Sequence, residues 1–98
     1  MADVARRSTI GTDRLLDSLR GEWGVGLRTA ARWDDLSEYE QMVFIETWAI
    51  PRGYHRILRE RVGACELSPS QRVQFDDLCC WIENTRSAIE AVLEDSAL

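Results

Sequence analysis

The sequence predicts an all-α fold: a small helical bundle in which a short N-terminal helix and a broken helix over 37–62 accompany a long helix over 69–94, with the broken helix antiparallel to the long one. Three observations carry this. Ser37 with Glu40, and Ser68-Pro69 with Gln71, have the spacing of reciprocal N-terminal caps. Phe75, Leu78, Ile82, Thr85, Ile89 and Val92 recur at alternating steps of three and four, the seam of closely packed helices. Ile50-Pro51-Arg52-Gly53 interrupts an otherwise helical stretch, because proline lacks a donor and disfavours helical geometry just before it. At 98 residues the chain supports one core of roughly 13 Å radius of gyration. Residues 1–11 are expected to be a flexible N-terminus and 12–98 a single domain.

Taken in order, Thr12 offers an N-cap, Asp13 suits the positive end of a helix, and Leu15, Leu16, Leu19 and Trp23 form a stripe. Gly21 is expected to end that helix. Its glycines make GEWGVG (21–26) a flexible connector; phosphate loops space theirs differently and follow a strand. A second helix begins at Ser37. QMVFIETWAI (41–50) is apolar almost all round, and although its β-branched and aromatic residues suit a strand, the cap and the length favour a helix. Such a helix is buried on several sides or buries itself in a partner. After the break, Tyr54, Ile57, Leu58 and Val62 form an apolar stripe, Arg52, Arg56 and Arg59 stand at i, i+4 and i+7, and Gly63 provides a stop. In the final helix, DDLCCWIEN (76–84) reads across both faces. Cys79 flanks the seam, and Cys80 shares the outer surface with Asp76, Asp77, Glu83 and Glu90.

Little here points to catalysis. Three cysteines and no apolar N-terminal block indicate reduced thiols and a cytoplasmic protein, and the longest apolar run, Met42 to Ile45, is far short of the ~18 residues of a membrane span. Adjacent cysteines on a helix diverge by about 100°, so no metal site is expected, nor any cofactor. A Cys-His nucleophile using His55, the single histidine, lacks an identifiable third group, so His55 reads as a structural or surface residue. The doublets Asp34-Asp35 and Asp76-Asp77 are read as acids at helix starts. All twelve basic residues are arginine, which suits a GC-rich bacterial or phage genome.

Charge is segregated. Residues 33–50 hold five acids and no arginine, 51–65 hold four arginines against Glu60, and 66–98 hold seven acids against two arginines. Four tryptophans exceed the usual need of so small a core, and Trp48, ending the over-apolar helix, is the candidate interface anchor. The expected function is a non-catalytic protein-binding module, a small regulator or inhibitor of antitoxin-like or anti-CRISPR-like kind, acting on a larger protein. Its expected contacts are Trp48, Arg52, Tyr54, Arg56 and Arg59, with Asp76, Asp77, Glu83 and Glu90 as an electrostatic surface. Two alternatives stand beside it. Residues 37–62 could form a helix-turn-helix, disfavoured by Pro51 in the turn and by the flanking acids that would repel phosphate. Residues 42–50 could instead join two copies in a homodimer.

Overall fold

The computed structural model describes residues 10–96, and among them every regular element is helical. Helix α1 spans Thr12–Ala31, a 3-10 turn follows at Trp33–Asp35, and α2 (Glu38–Thr47), α3 (Ala49–Gly63) and α4 (Pro69–Ser96) complete the chain. This is the small all-α bundle that capping and spacing predict. Of the expected flexible N-terminus, residues 1–9 lie outside the described residues.

Both caps form. Ser37 Oγ accepts from the Glu40 N–H at 3.1 Å, and Glu40 Oε1 accepts from the Ser37 N–H at 3.0 Å. Those bonds from Ser37 hold the Glu40 carboxyl below its ordinary pKa. Ser68 and Gln71 repeat the exchange at 3.1 and 2.9 Å. The Gln71 amide also donates to Asp13 Oδ1 at 3.0 Å, tying the start of α4 to the start of α1.

Helix α1 departs most from expectation. It does not stop at Gly21 but runs through Gly21, Gly24 and Gly26 to Ala31, so GEWGVG is helix and not a connector. Two tertiary contacts outweigh the cost of about 1 kcal/mol that each interior glycine imposes on a helix. Trp23 is buried, and its indole N–H donates to Thr85 Oγ1 at 2.8 Å. Gly26 lets the Trp48 ring lie directly on the helix backbone: a Cβ at position 26 would stand 2.7 Å from Trp48 Cη2, inside any normal contact. Thr12 is not the N-cap either. Gly11 holds that position without a side-chain bond, and the Thr12 hydroxyl accepts from Arg61 Nη1 at 3.0 Å.

Extended in this way, α1 is the hub. Leu15, Leu16 and Leu19 are fully buried, each contributing about 1.5–3 kcal/mol by leaving water. Thr12 meets Arg61 while Trp23 meets Trp48, so α1 runs antiparallel to α3. Asp13 meets Gln71 and Trp23 meets Thr85, so α1 runs parallel to α4. Helices α3 and α4 are therefore antiparallel to each other, as expected, but each packs chiefly on α1 and little on the other. They splay apart over α1.

The helix break falls earlier than predicted. One residue, Trp48, with φ −64° and ψ −19°, separates α2 from α3, and Pro51 sits in the first turn of α3. Proline is tolerated there, but its ring conflicts with the carbonyl four residues back, Thr47, which is where α2 ends. No three- or four-residue turn separates the two helices, and Ala49 and Gly53 both lie inside α3, so the tight turn of a helix-turn-helix is not formed. At its far end α3 closes with Cys65 at φ 57°. The Cys65 N–H reaches Val62 O at 3.0 Å and the Glu66 N–H reaches Arg61 O at 2.9 Å, a Schellman closure with cysteine where glycine is usual. Asp34 and Asp35 fall in the 3-10 turn, and Asp76 and Asp77 lie two turns into α4 rather than at a helix start.

Candidate functional site

The splay of α3 and α4 leaves a groove between them, with α1 beneath one half of it. Two adjoining cavities, of about 430 and 330 Å³, share His55, Ile82 and Arg86 and together follow α4 from Arg72 to Leu93. The two meet at His55, where α3 touches α4 through Cys79 and Phe75. Leu19, Trp23, Trp48, Ile82 and Ile89 lie beneath the first cavity, each buried, so the apolar surface left open there is small.

Its walls are cationic. On α3, Arg52, His55 and Arg59 recur at i, i+3 and i+7, and on α4, Arg72 and Arg86 face them. Arg72 is tied to Asp76 at 3.0 Å, and Arg86 to Glu83 at 2.9 Å with Glu90 at 3.8 Å. Arg52 and Arg59 have no ion-pair partner among the described residues. Four arginines thus line the groove against two acids, Glu83 and Glu90, in a chain whose net charge is −5. The imidazole registers that field. Burial, then Arg59 and Arg86, hold the His55 pKa below its ordinary value, so the ring is neutral at pH 7.

His55 Nε2 lies 3.6 Å from Cys79 Sγ, and the imidazole packs on Phe75 at 5.8 Å between ring centres. His55, read from sequence as a structural or surface residue, is half-buried and lines both cavities, and the nearness of the thiol was not foreseen. Burial raises the Cys79 pKa more than Arg59 lowers it. Both shifts favour the neutral thiol and the neutral imidazole over the thiolate–imidazolium pair. No carboxylate or amide bonded to the imidazole is present to orient it among the described residues. Nor do those residues contain a cluster of three or more His, Cys, Asp or Glu side chains placed to hold a metal ion, or a helix long and apolar enough to cross a membrane.

The nine expected contact residues separate into distinct places. Arg52 and Arg59 line the groove, whereas Arg56, exposed on the same helix, and Tyr54, half-buried against the core, do not. Trp48 is no exposed anchor. Its side chain is 8% exposed and stacks between Trp23, at 5.1 Å, and Phe44, at 5.3 Å, while Trp33 meets the other edge of Phe44 at 5.5 Å. The apparent surplus of tryptophan is largely this aromatic ladder. The acidic surface also divides: Asp76, Glu83 and Glu90 are spent on arginines of their own helix, and Asp77 lies with Arg20 and Trp81 in a separate cleft. Reasoning from sequence missed His55, Arg72 and Arg86 as members of one site. The signal available was the i, i+3, i+7 spacing of Arg52, His55 and Arg59.

In the comparisons with known proteins, no protein family, curated protein or solved structure shows significant similarity to this chain.

Proposed function

We propose that this chain is a non-catalytic protein-binding module, a small regulator or inhibitor, whose groove between α3 and α4 receives an acidic amphipathic helix from a larger protein. One observation carries this reading: a groove over the apolar core whose rim holds two arginines, Arg52 and Arg59, with no ion-pair partner among the described residues. An amphipathic helix lays its apolar face in such a groove, and its flanking acids meet the rim. The rim charges set orientation and association rate.

The test is capture from the host lysate by the full chain at low and high salt, with both protein and nucleic acid identified. A stoichiometric protein partner, lost when Arg52→Glu and Arg59→Glu are combined and weakened by salt, supports the reading. Capture that ignores the double reversal, or recovery of nucleic acid without protein, overturns it.

A further inference from the structure

Helix α2 presents the complement of the groove. Five of the eight large exposed hydrophobics among the described residues stand between residues 39 and 50: Tyr39 (72% exposed), Met42 (51%), Val43 (39%), Ile45 (41%) and Ile50 (50%). Tyr39, Met42, Val43 and Glu46 stand at i, i+3, i+4 and i+7, so the Glu46 carboxylate rises from the middle of the apolar face. A purely apolar cover would strand that charge, at a cost of several kcal/mol. What covers α2 must therefore be apolar and carry a cation at its edge. The groove between α3 and α4 sets the half-buried Leu93 and the edges of Trp48 and Ile89 beside Arg52 and Arg59, which have no ion-pair partner among the described residues.

We propose that α2 of a second copy of this chain occupies the groove in the resting protein, the two copies forming a closed pair. This rests on the reading above that the groove takes an acidic amphipathic helix. A chain cannot fill its own groove in this way, because Phe44 and Trp48, on the opposite side of the α2 stretch, are the residues turned into its core. Trp48, at the end of α2, lines one end of the groove with Pro51 and Arg52. Reciprocal insertion, each α2 in the other copy's groove, closes the pair and leaves no open end. Residues 1–9 are a poor occupant, since Arg6 and Arg7 against Asp3 make them basic. Pairing then competes with the partner, and the free groove is exposed only on dissociation.

Sedimentation equilibrium of the full chain over a wide concentration range tests this, with circular dichroism confirming that each variant is folded. The expected species is a dimer, twice the 11.2 kDa chain mass, that does not grow further. Glu46→Arg alone, and Arg52→Glu with Arg59→Glu, should each weaken it by about tenfold or more. Mixing the two variants should restore a heterodimer, because each groove then meets a helix of opposite charge. A wild-type monomer at every concentration, or a mixture that fails to recover, overturns the proposal. So does a dimer broken by Glu46→Arg but indifferent to the arginine reversals, which would pair α2 with α2. The underlying groove reading fails separately, when capture of a lysate partner ignores Arg52→Glu and Arg59→Glu.

Discussion

Replacing Gly26 by alanine should destabilise this protein, whereas the same change at Gly21 should stabilise it. Both glycines lie inside α1, where alanine is favoured by about 0.8–1 kcal/mol on helix propensity. At Gly21 a Cβ meets nothing within 4 Å, so most of that gain should appear. At Gly26 the Cβ would lie 2.7 Å from Trp48 Cη2, and relief requires the indole to retreat by about 1 Å. That ring cannot slide freely, because Trp23 and Phe44 pack on either side of it. Overpacking of this kind costs about 1–3 kcal/mol, and disturbing two aromatic pairs adds about 0.5–1.5 kcal/mol for each. Once the propensity gain is set against these, Gly26→Ala should lose about 1–5 kcal/mol, lowering Tm by about 4 °C or more. Urea denaturation followed by tryptophan fluorescence reads both variants, with an unchanged m-value showing that the fold is the same. Equal stabilisation by Gly21→Ala and Gly26→Ala would refute the packing of Trp48 on the α1 backbone, and with it the floor of the groove.

Three further outcomes are expected. Cys65→Gly should stabilise the protein by about 0.5–1 kcal/mol in the same assay, because a left-handed backbone penalises cysteine and not glycine. Thr85→Val keeps the shape of the side chain but leaves the buried Trp23 N–H without its acceptor, and should cost about 1–3 kcal/mol. The His55 titration, followed by NMR, should fall below 6.5 and move upward in Arg59→Gln and in high salt. Between the lowered folded value and the ordinary one the unfolded chain binds the proton and the fold does not. Stability should therefore decline as pH drops through that window, and His55→Gln should flatten the slope.

Much of the fold was legible because capping and periodicity are local. Ser37 with Glu40 and Ser68 with Gln71 need only three residues between partners, and the seam from Phe75 to Ile89 is buried where the three-four spacing placed it. Helix α1 was misjudged because local propensity and tertiary packing disagree there. Its glycines read as breakers, and only the arrival of Trp48, far along the chain, shows that Gly26 is a notch. The same long-range contact removed Trp48 from the surface. Half of the site was legible for a related reason. Arg52 and Arg59 announce themselves by spacing within one helix, but Arg72 and Arg86 join them only because α3 and α4 are antiparallel over α1. Sequence spacing could not separate Arg56 from Arg59, which stand on neighbouring turns and differ only in facing the groove.

That difference gives the most direct measurement of the central claim. A photo-crosslinking residue placed at position 59, inside the groove, or at position 56, outside it, is activated in the host lysate with the chain otherwise intact. Docking in the groove predicts a strong adduct to one protein from position 59, mapped to an acidic helical segment, and little from position 56. Equal adducts from both positions, or an adduct from 56 alone, would contradict it.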